Sequence, residues 1–202
     1  MILQIEGPRG SGKTFLINKF LEECNDPRVE YYKFYFADRV KSLGLQSLDR
    51  TPALHYYSLG NIMTIMEMNL RPEYRDKIWI FDRAILSAYT WAILRNRLTD
   101  DVARSEYLNL LGSDLFSNYR TLLVSVNGQT DDLIRSKDLW DAAHSTSEEL
   151  SIMTQLAELG STELANSSKN NLIGRVINQF DESSVASFNH ECYKLLGIKP
   201  NK

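Results

Sequence analysis

Apolar positions along this chain recur in two rhythms, and the changes of rhythm mark out five strands with helices between them. Ile2, Leu3 and Ile5 form a short apolar run, and Leu16, Ile17, Phe20 and Leu21 then recur at helical spacing. Asn25-Asp26-Pro27 breaks the pattern before Val29 to Phe36, whose aromatics (Tyr31, Tyr32, Phe34, Tyr35, Phe36) predict a second strand. Thr51 as cap and Pro52 in first position predict a helix carried by Leu54, Tyr57, Ile62, Ile65, Met66 and Met68 toward Leu70. Ile78 to Phe81 is unbroken and ends in Asp82, the pattern of a strand buried on both faces of a parallel sheet.

Ala84 to Leu98 is helical in pattern, and Thr99 with Asp100 and Asp101 caps a further helix to Leu111, ahead of Gly112. Leu122 to Val126 is the fourth strand. Residues 130–160 carry no strand signal, and helix starts are expected at Thr130 and at Ser147 with Glu148 and Glu149. From Gly160 to Asn171 the Ser, Asn and Thr content predicts a loop. Leu172 to Phe180 is the last strand. Ser183 or Ser184 is the expected cap of a final helix through Val185, Phe188, Cys192 and Leu196, stopped by Gly197 and Pro200. Strands alternating with helices predict an α/β fold, a three-layer sandwich with a central, mainly parallel sheet of about five strands and helices on both faces. No linker or repeat divides residues 1–202, so one domain is expected.

Between the first strand and the first helix stands Gly7-Pro8-Arg9-Gly10-Ser11-Gly12-Lys13-Thr14, a complete G-x-x-x-x-G-K-[ST] phosphate loop. Its glycines let backbone N–H groups turn toward phosphate oxygens, and the following helix aims its positive end at the same place. Lys13 would reach the β- and γ-phosphates and Thr14 would offer a hydroxyl to Mg²⁺, so ATP and Mg²⁺ are the expected ligands. Asp82 ends its apolar strand as a Walker-B type carboxylate does. If that strand neighbours the first, Asp82 faces Thr14 across the magnesium position; the rival reading is a helix cap. Arg83 follows, a fork suited to phosphate or to a catalytic acid, with a surface ion pair as its rival.

Net charge is −3 and hydrophobic content 43% over 202 residues, which supports a buried core and gives no basic field for a nucleic-acid duplex. Anionic ligands must therefore be met by local cations. Cys24 and Cys192, each read as lying in an apolar-periodic helix, are expected as buried reduced thiols, with a disulfide between them as the rival reading, and neither has a histidine at zinc-ligand spacing. No apolar run is long enough for a bilayer, so a soluble cytoplasmic protein is expected, with a homodimer left open.

Glu6 with the phosphate loop (I-E-G-P-R-G-S-G-K-T) and F-D-R-A-I-L-S-A-Y-T-W from Phe81 resemble the thymidylate kinases and their deoxynucleoside kinase relatives. Members carry E-G-x-x-G-x-G-K-[ST] and D-R-x-x-x-S-x-x-x-[YF] motifs, the second matched here at Asp82, Arg83 and Ser87, with Trp91 at the aromatic position. The resemblance implies transfer of the γ-phosphoryl group of ATP to a nucleoside monophosphate or a nucleoside. It implies catalytic roles for Lys13, Asp82, Arg83 and Arg135, and Mg²⁺ at Thr14 and Asp82. It also implies a lid at about residues 128–150, after Asn127-Gly128, where Arg135 and Lys137 stand with Asp138. A solvated helix face is the other reading of those two cations.

The chain departs from the family in two places. Thymidylate kinases carry a base-reading arginine on the helix before the D-R strand, whereas no arginine stands from Thr51 to Asn69 and Asn61 is the polar group on offer. The R-E-P-G run after the second strand is replaced by Asp38-Arg39. With Arg39, Arg83 and Arg135 available to hold a second phosphate, a monophosphate acceptor is the first expectation, with Asp38, Arg39, Asn61, Arg83, Ser87 and Trp91 lining its site. A nucleoside acceptor, with Asp38 as base toward a 5′-hydroxyl, is the alternative. An accessory P-loop NTPase acting through a partner comes third; the N-K-x-D guanine motif is absent, since Asn127 precedes Gly128 and Asp131 is out of register.

Overall fold

A computed structural model describes residues 1–8, 10–33, 60, 62–94, 98–116, 118–126, 146–163 and 173–200. Five strands, β1 (Ile2–Glu6), β2 (Val29–Lys33), β3 (Ile78–Asp82), β4 (Tyr119–Val126) and β5 (Ile173–Asn178), form one sheet in the order β2-β3-β1-β4-β5. Every pairing is parallel. Parallel neighbours need crossovers, and α1 (Lys13–Glu23), α2 (Ile85–Leu94), α3 (Asp100–Leu111) and α4 (Thr146–Glu163) lie in them, while α5 (Glu182–Leu196) follows the last strand. Residues 62–70 are helical as well.

Side chains alternate across β1 and divide the core in two. Leu3 and Ile5 face α1 and α5, where Leu16, Ile17, Phe20, Phe188 and Cys192 close one layer. Ile2 faces the other side, with Ile65, Phe81, Ile85, Tyr107, Met153 and Leu156 from residues 62–70, β3, α2, α3 and α4. Each such large apolar side chain fully buried contributes about 1.5–3 kcal/mol relative to exposure. Gln4, on the second side, is also fully buried. Its amide donates to Thr121 Oγ1 at 2.6 Å and its carbonyl accepts the Tyr119 hydroxyl at 2.5 Å, so its polar ends are matched within the sheet.

The α/β expectation holds, with a sheet that is parallel throughout the described residues. Differences lie at element ends. β4 begins at Tyr119 rather than Leu122, because Tyr119 to Leu123 pair in register with β1. α2 is described as helix to Leu94, short of Leu98. α4 runs past Gly160 to Glu163, where a loop was expected; Leu156 and Ala157 anchor it in the core, and buried Gly160 lies within it. The cap of α5 is Asp181, not Ser183 or Ser184. Its carboxylate accepts the Ser184 N–H at 2.9 Å and both serine hydroxyls, so the serines donate where they were expected to accept. Cys192 is buried and free as expected, but Cys24 is the partly exposed C-cap of α1. The end of the second strand run beyond Lys33, the start of the helix from Thr51 and the segment from Thr130 to Ser145 lie outside the described residues. Among the described residues no helix is long and apolar enough to cross a membrane.

Candidate functional site

The parallel sheet brings the carboxyl ends of its strands to one edge, where ligands of open α/β sheets bind. Register places Ile5 beside Asp82 and Glu6 beside Leu123, so the chain leaves β1 between β3 and β4. The loop that follows runs so close to β4 that a Cβ on Gly7 would sit 2.1 Å from the Val124 carbonyl oxygen. Gly12 has φ +78°, and a Cβ there would stand 2.3 Å from Asn178 Nδ2. Glycine is needed at both positions for backbone reasons. Gly12 is also the N-cap of α1 and brings no side-chain acceptor, which leaves that helix end to an anion.

Lys13 is buried at the start of α1. Its Nζ donates to Gly7 O at 2.9 Å, Pro8 O at 2.7 Å and Ser11 Oγ at 3.2 Å. Burial, then the neighbouring Arg83 guanidinium, bring its pKa down to about 7, while Asp82, Glu149 and Glu6 pull the other way. One residue on, Thr14 Oγ1 donates to Asp82 Oδ2 at 2.5 Å, and the Tyr31 hydroxyl donates to the same oxygen at 3.4 Å. The expected adjacency of Thr14 and Asp82 is therefore present. Asp82 does not cap the following helix: Ala84 N–H and Ser87 N–H donate to Glu6 Oε1 at 2.7 and 3.2 Å.

Glu6 is fully buried and also receives the Ser87 hydroxyl on Oε2. Burial pushes its pKa up, against the pull of these hydrogen bonds and of Arg83. The last residue of β1 thus pins the start of α2 directly behind the D-R pair. Ser87 is buried and turned to Glu6, while Trp91 stands one turn further along α2, half-buried. Arg83 has φ +68°, a left-handed conformation for a non-glycine residue. Such strain costs on the order of 1–3 kcal/mol and persists where its surroundings hold it. Here Arg83 N–H donates to Ile5 O at 3.0 Å, and the guanidinium reaches Glu149 Oε1 at 3.0 Å and Ser87 Oγ at 3.4 Å. Its ion pair is partly buried, so the surface-pair reading does not apply.

Beyond Gly12 the loop is braced from β5. Asn178, 2% exposed, donates from Nδ2 to Ser11 O at 2.9 Å and accepts Phe180 N–H on Oδ1 at 2.9 Å. Phe180, with φ +60°, lays its ring beside Gly12. It and Phe15 rim a cavity of about 1120 Å³ between α1 and α5. Glu149, Asn178 and the capping role of Glu6 were not anticipated from the sequence. Arg9, Asp38, Arg39, Asn61, Arg135 and Lys137 lie outside the described residues.

The fold superposes on a NadR protein solved in complex with NR, with a TM-score of 0.62 at 13% identity over 100% of this chain. It also superposes on the thymidylate kinase of Ehrlichia chaffeensis, with a TM-score of 0.52 at 18% identity over 97% of this chain and 98% of that one. The fold is a P-loop NTPase-type α/β sandwich. The chain spans about half the length of the NadR chain, 51%. No family model and no curated protein matches the sequence.

Proposed function

We propose that the protein transfers the γ-phosphoryl group of ATP to a nucleoside monophosphate, in the manner of a thymidylate kinase. The observation that carries the reading is the meeting of Thr14 and Asp82, where the first turn after the phosphate loop touches the end of the neighbouring strand. A hydroxyl and a carboxylate converging on one point are hard oxygen donors of the kind Mg²⁺ takes together with phosphates and water. Bound there by Thr14 and Asp82, Mg²⁺ would neutralise charge on the β- and γ-phosphates.

Lys13 turns from the loop carbonyls to the β- and γ-phosphates, and the amides of the loop and of the α1 terminus hold the remaining oxygens. Arg83, beside Asp82, meets the phosphoryl group as its charge spreads in the transition state. An oxygen of the acceptor phosphate forms the new P–O bond as the bond to the β-phosphate oxygen breaks, and ADP leaves. A phosphate acceptor has no proton to lose, but it brings a second anion beside ATP, and Arg39, Arg83 and Arg135 offset that repulsion. Lys137 adds to the grip on ATP from the lid segment.

A nucleoside acceptor is the second reading, favoured by Asp38-Arg39 standing where the thymidylate kinases have R-E-P-G. A 5′-hydroxyl must give up its proton, and Asp38 would take it. ADP release measured across a panel of monophosphates and nucleosides decides between the two. Turnover with at least one monophosphate, and a raised acceptor Michaelis constant in Arg39→Ala with that of ATP unchanged, is expected. Turnover with nucleosides alone, lost in Asp38→Asn, would replace the first reading by the second.

A further inference from the structure

Glu149 lies in the first turn of α4, the helix that follows the segment assigned above as a lid, and its carboxylate meets Arg83, the residue after Asp82, across the site. Its side chain is 7% exposed and that of Arg83 21% exposed, with Nη1 and Oε1 3.0 Å apart. A carboxylate taken so far out of water depends on a cation beside it, and Arg83 supplies one. The helix terminus adds a favourable positive field for Glu149. Ser87 Oγ, the second contact of the guanidinium, is itself held by Glu6. Arg83 is therefore gripped from two elements, α2 behind it and α4 across from it, while its backbone sits in a strained left-handed conformation. The Lys13 ammonium senses both Arg83 and Glu149, which groups all three charges at the phosphate loop.

We propose that Glu149 is a positioning residue: it aims the Arg83 guanidinium at the transferring phosphoryl group and so ties the geometry of the D-R pair to the seating of α4. The proposal rests on the reading of Arg83 as a phosphate-contacting residue. Glu149 itself touches no substrate. Without it, Arg83 keeps its charge, its long reach and its contact with Ser87 but loses its hold on α4, and an arginine misaligned by about 1 Å costs on the order of a hundredfold in rate.

The test compares Glu149→Gln, Glu149→Asp, Arg83→Ala and the Arg83→Ala/Glu149→Gln pair in the full chain. Turnover and the Michaelis constant for ATP are read alongside the solvent exchange of the Arg83 Nη1 hydrogens by NMR. Glu149→Gln is expected to lower turnover by about a hundredfold with the ATP constant within about threefold. Glu149→Asp, which keeps the charge at shorter reach, falls between it and wild type. Adding Glu149→Gln to Arg83→Ala changes turnover by less than about twofold, because the two act as a unit. Wild-type turnover in a folded Glu149→Gln protein, or additive losses in the pair, overturns the proposal. Should the Gln variant not fold, the Asp variant decides: lowered turnover at an unchanged ATP constant supports the role, and wild-type turnover overturns it. Failure of the transfer reading itself is recognised separately, as wild-type protein inactive on every acceptor. The exchange measurement then judges Glu149 alone: protection of the Arg83 Nη1 hydrogens lowered in Glu149→Gln upholds the positioning, and protection unchanged from wild type refutes it.

Discussion

Nucleotide binding by this protein should take up a proton at alkaline pH, and Lys13 is the residue that takes it. The ammonium is buried against two loop carbonyls and a serine hydroxyl, with Arg83 close by, and its pKa falls to about 7. At pH 8 about nine-tenths of the free protein therefore carries a neutral Lys13. A triphosphate brings several negative charges to that nitrogen and restores its proton, so binding at pH 8 is coupled to uptake of about 0.9 proton. The sign follows directly: the protonated form binds better, so affinity falls as pH rises above the free-state pKa and levels off below it. Between pH 8 and pH 9 the dissociation constant should rise about ninefold, or about 1.3 kcal/mol. Phosphate ionisation does not intrude, since its second pKa lies near 6. Calorimetry with a non-hydrolysable ATP analogue, run in buffers of different ionisation enthalpy, measures the proton count directly. Lys13→Met should bind more weakly and show no pH dependence over the same interval. Zero proton uptake at pH 8 in wild type, with an unchanged dissociation constant at pH 9, would refute the reasoning.

Asp82→Asn keeps the shape of the strand end but removes the charge beside Thr14. Turnover should drop by about a hundredfold or more and its magnesium dependence should shift to higher concentration, whereas an unaltered magnesium titration would leave Asp82 a structural group. Glu6→Ala strands the Ala84 and Ser87 amides in the core, and urea unfolding should show a loss of about 3 kcal/mol. Glu6→Gln retains an acceptor for both amides and should lose less; equal losses in the two variants would show that the amides find other partners.

The sequence was most informative where chemistry is local. The strand, phosphate loop and first helix occupy one short stretch, and each step of it has a residue-level cause, from the apolar run to Gly12 to the spacing of Leu16, Ile17 and Phe20. Asp82 was legible for the same reason, since an unbroken apolar strand ending in a carboxylate is a local pattern. Partners far apart in the chain were not. Glu149 sits in an acidic first turn, as at any ordinary helix start, and nothing near it in sequence announces Arg83 66 positions away. Glu6 and Asn178 each end a strand, and only the sheet order shows that one caps α2 and the other braces the phosphate loop. Ser87 was read from a motif as facing substrate, while the fold turns its hydroxyl to Glu6, a direction that helical spacing alone does not fix. At α5 the cap went to Asp181 because an ionised carboxylate accepts several donors at once, which serine hydroxyls beside it then supply.

The central claim, phosphoryl transfer at the phosphate loop, is met most directly by following the phosphate. ATP labelled in its γ-phosphate is incubated with the protein and a mixture of nucleoside monophosphates, and the products are separated by charge. Label is expected in a nucleoside diphosphate, at its terminal phosphate, formed by wild type and lost in Lys13→Ala protein that remains folded. Label confined to inorganic phosphate, or an equal yield from Lys13→Ala, would contradict it.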